Sequence, residues 1–151
     1  MNGRPAKPLG QARRRGLVLI WGAQLMSVVL LLVVTRVVEV RRGDGDDGSV
    51  LLLVLGLTAL TAFGLSFAAR SKLLSQSVVQ NRPDLATTAY VLAFALCEAP
   101  ALFGVVAHFA TGAREAIYFF IPAALGLLLH FPRREHFADP PPAGAAFTQE
   151  P

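Results

Sequence analysis

Glu98 stands near the middle of an apolar run of membrane length, residues 90–109, YVLAFALCEAPALFGVVAHF. An ionised carboxylate at the centre of a bilayer costs several kcal/mol, so such a group is normally protonated, paired or turned to a polar cavity. The chemistry open to it there is uptake and release of a proton, or binding of another cation. The competing reading is a protonated carboxyl that hydrogen-bonds across helices and holds a bundle together. Two places on, Pro100 lacks a backbone N–H, which frees the Leu96 carbonyl and is expected to bend a helix. Ala93, Ala95, Ala99, Ala101 and Gly104 keep the surroundings small, and small residues let another helix approach closely. At similar depth the other apolar runs offer Gln24 and Ser27, and Thr58 and Thr61, as hydrogen-bonding partners for the carboxyl. No lysine or arginine lies deep enough to be an obvious counter-ion.

Other chemistry has little support in the residues. Cys97 is the single cysteine and sits inside an apolar run, so it can form no intramolecular disulfide. His108 and His130 fall near span ends on opposite sides and read as interfacial residues, since no second metal ligand stands at helical spacing. The acidic stretch EVRRGDGDDGS reads as a solvated turn. Its three close aspartates offer at most weak cation binding, because an EF-hand loop needs a longer, spaced ligand set. There is no nucleophile elbow, phosphate loop, H-E-x-x-H or paired-carboxylate pattern. The sequence therefore predicts no enzyme, no catalytic residue, no metal site and no cofactor.

The elements that must position Glu98 follow from composition. The chain has 151 residues, 54% of them hydrophobic and 16% charged, which is too apolar for an ordinary soluble domain. Its charges are gathered in short clusters between long apolar runs. Four segments come near the length of a span, roughly 17–25 residues: about 16–38, 49–69, 85–110 and 116–131, the last being the shortest. They lack period two and are too long for barrel strands, and a backbone in hydrocarbon must satisfy its own hydrogen bonds, so each is expected to be helical. The fold class expected is all-α, a four-helix transmembrane bundle. RRRGLVLIW resembles the start of a secretory signal, but the apolar stretch is long and no clean small-x-small site follows, so it reads as an uncleaved first span. Arg36 is near enough to the end of that span to snorkel, and Trp21, Tyr118, Phe119 and Phe120 fit aromatic anchoring near span ends. Pro122 and Gly126 are expected to loosen and pack the fourth span.

Basic residues set the orientation. Arg4, Lys7 and Arg13 to Arg15 precede the first span, Arg70, Lys72 and Arg82 fill the middle connection, and Arg133 and Arg134 follow the last span. By the positive-inside rule both termini and the middle connection are cytoplasmic, which predicts a multi-pass protein of the cell inner membrane. The tails, 1–15 and 133–151, are rich in Pro, Gly and Ala and read as disordered, flanking a membrane domain at 16–132. The basic residues sit where topology needs them, not interleaved with aromatics on one face, so nucleic acid is not an expected partner.

Spans one and three can be laid over each other with Ala23 on Ala95 and Met26 on Glu98. Spans two and four end alike, in SFAAR and HFPRR. The two halves are thus candidates for repeated helical hairpins, a device that recurs in transporters.

The stretch NRPDLATTAYVLAFALCEAPALFGVVAHFA resembles the second half of the proteolipid subunit c of rotary ATP synthases. Arg82 and Pro83 match that family's cytoplasmic loop, and Ala95, Leu96, Glu98 and Ala99 match its carboxylate setting. The resemblance covers one helical hairpin. It implies that Glu98 carries a proton or sodium ion, and that the chain assembles with further copies or with a membrane subunit bearing an arginine. The chain differs from the family in its four spans, in a second span with only Gly56 and Gly64 where the family is glycine-rich, and in the long segment RSKLLSQSVVQNRPDL. The expected function is that of a small, subunit-c-like membrane protein whose intramembrane carboxylate binds or relays protons or another cation. The alternative is a non-catalytic interaction protein in which Glu98 is an interhelical hydrogen-bonding group. The bilayer is a partner in both.

Overall fold

A computed structural model describes residues 9–40, 47–80 and 82–133. The outer tails and residues 41–46 of the acidic loop lie outside these described residues, and so do the expectations of disorder and of a solvated turn placed on them. The described residues form an all-α bundle: α1 (Leu9–Val37), α2 (Asp47–Val79), α3 (Pro83–Thr111), a short 3-10 segment (Arg114–Phe119) and α4 (Phe120–Leu129). Three of these helices, α1, α2 and α3, are long and apolar enough to cross a membrane.

The helices overrun the spans expected from the sequence. α2 has 33 residues, about 50 Å at 1.5 Å per residue, against roughly 30 Å of hydrocarbon. The apolar run fixes only the part in lipid. Beyond it the segment RSKLLSQSVV contains good helix formers and simply continues a nucleated helix. The same reason places residues 9–15 in α1 and corrects their assignment to a tail.

The fourth span needs a larger correction. Instead of one α-helix over 116–131, a 3-10 segment leads into an α4 of 10 residues. Pro122 explains the break. In a continuous α-helix its ring would press on the Tyr118 carbonyl and leave that carbonyl without a donor. Starting α4 at Phe120 puts Pro122 in the first turn, where a backbone N–H has no intrahelical partner anyway.

The ends of α3 are legible residue by residue. Arg82 is extended (φ −115°, ψ 90°), as a residue before proline prefers, and Pro83 opens the helix. At the other end Gly112 takes φ 62° and its N–H bonds the His108 carbonyl at 2.8 Å. That left-handed C-cap is open to glycine at no steric cost.

α3 is the centre of the bundle and packs on every other helix, most extensively on α2. Of its buried residues, Ala86, Tyr90, Ala93, Cys97, Pro100, Gly104 and Ala107 recur in steps of four and three, and Ala89, Phe94 and Ala101 flank that line. That is the 3.5-residue period of left-handed helix packing. Most are small, which allows the close approach foreseen for this stretch. The packing is not repeated between the halves: α1 and α2 hardly touch, whereas α3 packs on both the 3-10 segment and α4. α1 is fastened at the α4 end, where the Trp21 indole N–H donates to the Leu127 carbonyl at 2.7 Å and the ring meets Phe131 edge-on. Trp21 is therefore a tie between helices as well as an aromatic near a span end.

Candidate functional site

Counting residues from the span ends puts Ser27 near the middle of α1 and Glu98 near the middle of α3. The structure joins them. The Ser27 hydroxyl donates to Glu98 Oε1 at 2.7 Å. Glu98 remains only partly buried. It lies at the border between the α1 contact and a stripe of α3 made by Val91, Ala95, Leu102, Val106 and Phe109, all exposed on the bundle surface. These positions fall three, four or seven residues apart, so they share one face of the helix. The carboxyl is thus held by one hydroxyl on one side and opens laterally, toward the surface that lipid would cover, on the other.

The remaining candidates separate clearly. Gln24 is one turn before Ser27, partly buried, and makes no bond to Glu98 among the described residues. Thr58 and Thr61 do not approach the carboxyl at all. Both face outward, and their hydroxyls donate to their own helix, at the Val54 and Leu57 carbonyls, each at 2.8 Å. A threonine in an apolar helix satisfies its hydroxyl this way wherever no cross-helix acceptor is in reach. Pro100 is buried, and α3 runs through it without interruption. Arg82 pairs with Asp84 at 2.8 Å across the exposed connection between α2 and α3, remote in sequence from Glu98. Pro83 acts as the helix opener described above.

A second polar group lies at the Arg70 end of the bundle. His130 is fully enclosed by its neighbours in the bundle. Its Nδ1–H donates to the Gly126 carbonyl at 2.7 Å, Cys97 Sγ stands 3.8 Å from the same nitrogen, and the Phe67 ring lies against it, tilted by 58°, at 4.4 Å between centroids. Gly126 is what brings Cys97 so close: a Cβ on it would fall 2.6 Å from Cys97 Sγ. Beside this group the Arg70 guanidinium donates to the Tyr90 hydroxyl at 3.2 Å and lies 4.9 Å over its ring. The sequence carries no signal for these pairings. A histidine or arginine at the end of a span reads the same whether it turns to water or into the bundle.

Among the described residues no group of three His, Cys, Asp or Glu side chains is placed to hold a metal ion. No family profile, curated protein or solved structure matches the chain.

Proposed function

We propose that this is a small multi-pass protein of the cell inner membrane, with both termini cytoplasmic, in which Glu98 takes up and releases a proton or another cation within the bilayer. The observation that carries the reading is the placement of Glu98 on the rim of the bundle. A carboxyl whose sole task was to tie α3 to α1 would be most stable fully enclosed, because exposure to hydrocarbon is costly for a polar group. Glu98 is instead part-exposed beside Ser27, on the open stripe of α3. From there it can exchange with a partner at the bundle surface, such as further copies of the chain or another membrane subunit. The resemblance of residues 81–110 to the second half of subunit c supports the same role.

The Ser27 bond favours a second reading, in which the chain is a non-catalytic interaction protein and the carboxyl is an interhelical tie. Labelling with dicyclohexylcarbodiimide, which attacks protonated carboxyls in apolar surroundings, separates the two. In native membranes Glu98 is expected to react readily at low pH and progressively less as pH rises, with Glu98→Gln unreactive. An intact protein that resists the reagent at every pH would leave only the tie.

A further inference from the structure

At the end of the bundle opposite Arg70 lies a cavity of about 600 Å³. It is formed by the end of α1, the end of α3 and the 3-10 segment. Its charged and polar lining includes Arg36, Glu39, His108, Arg114, Glu115 and Tyr118. The volume is in the usual range for a small-ligand site, about 300–1,000 Å³. The His108 ring N–H donates to the Val38 carbonyl at 2.9 Å and fixes α3 against the end of α1, so two walls of the cavity are braced.

Among the described residues the only ion pair joins Arg82 to Asp84, far along the chain, so Arg36, Glu39, Arg114 and Glu115 form no ion pair with another described residue. Two guanidiniums and two carboxylates sum to no net charge. Such a lining selects neither a plain anion nor a plain cation. It matches a ligand that carries one charge of each sign. The location narrows the choice further. The lining residues end two membrane-length helices, so they stand at headgroup depth. Below the rim, Val38 just past the end of α1 and Val34 and Leu30 at one-turn steps down that helix are all exposed, and offer an apolar track for an acyl chain.

We infer that this cavity binds the headgroup of a zwitterionic phospholipid with a primary amine, of the phosphatidylethanolamine class. Arg36 and Arg114 take the phosphodiester, for which guanidinium geometry is well suited. Glu39 and Glu115 accept hydrogen bonds from the ammonium group. A choline headgroup has no N–H to donate, and a glycerol headgroup carries no positive charge, so both are disfavoured. The site is separate from Glu98, and its occupancy does not depend on the role proposed there.

The test is native mass spectrometry of the full chain released from vesicles of equal parts dioleoyl phosphatidylethanolamine, phosphatidylcholine and phosphatidylglycerol. The ethanolamine lipid is expected to be retained about five- to tenfold over the other two, the scale of one or two charge-assisted hydrogen bonds. The double variant Glu39→Gln with Glu115→Gln is expected to erase the preference over phosphatidylcholine, while Arg114→Lys preserves it. All these side chains are exposed, so the variants keep the fold. Equal retention of the three lipids, or a preference untouched by the double variant, overturns the inference. Soluble phosphoethanolamine shares the headgroup chemistry. If it binds as tightly as the lipid, the natural occupant is a free metabolite and the lipid assignment fails.

Discussion

Tyr90→Ala is expected to destabilise the bundle by about 2–4 kcal/mol, seen as a large drop in thermal stability in mild detergent. Tyr90 has no exposed surface, and it is the largest side chain fully buried in the bundle. Losing such a ring from a soluble core costs about 3–5 kcal/mol, part of it the transfer of apolar surface from water. Helices in lipid gain little from that transfer, so the packing term carries most of the loss here. The polar part adds to it, because the Tyr90 hydroxyl accepts from Arg70, and the Arg133 N–H approaches the same oxygen at 3.4 Å. Tyr90→Phe isolates that part and is expected to cost about 1 kcal/mol, the net worth of an ordinary hydrogen bond. Equal losses for the two variants would mean that the hydroxyl, not the ring, holds this end of the bundle.

Gly104→Ala is expected to cost about 1–3 kcal/mol, the scale of overpacking in a well-filled core. A Cβ at residue 104 would stand 2.9 Å from Phe119 Cβ, 3.0 Å from Phe120 Cε2 and 3.1 Å from the Ala116 carbonyl oxygen. Two of those three atoms are backbone or directly attached to it, so no rotamer change relieves them. The 3-10 segment must move away from α3, and it is the element least braced by its own hydrogen bonds. Gly64→Ala is the control: a Cβ there meets nothing within 4 Å, and the variant is expected to be neutral or slightly stabilising. Comparable behaviour of the two alanine variants in a detergent melt would contradict the close contact at residue 104.

The legible part of this molecule is depth along each helix, and the illegible part is rotation about it. Ser27 and Glu98 were recognisable as level with each other because both sit midway along apolar runs. Thr58 and Thr61 sit at similar depth and turn the other way. In a soluble helix the polar face would reveal which side points out. In lipid both sides are apolar, so the sequence of α2 carries no phase. The same ambiguity hid the enclosure of His130. The break before α4 was readable in principle, since Pro122 stands too far into the fourth span for an unbroken helix. The start of α1 and the end of α2 were least legible, because a helix continues beyond its apolar run at no cost in water. The resemblance to the second half of subunit c rests on residues 81–110 alone and says nothing about how α1 and α4 close around them.

The most direct test of the proposed role is infrared titration of the protein in membranes, reading the carbonyl stretch of a protonated carboxyl as wild type minus Glu98→Gln. A band assignable to Glu98 is expected, present at low pH and fading as pH is raised. Ser27→Ala is expected to shift the band, because the hydroxyl that donates to the carboxyl is gone. A band that keeps its intensity at every pH at which the protein stays folded would contradict proton exchange at Glu98 and leave the carboxyl as a fixed link between α1 and α3.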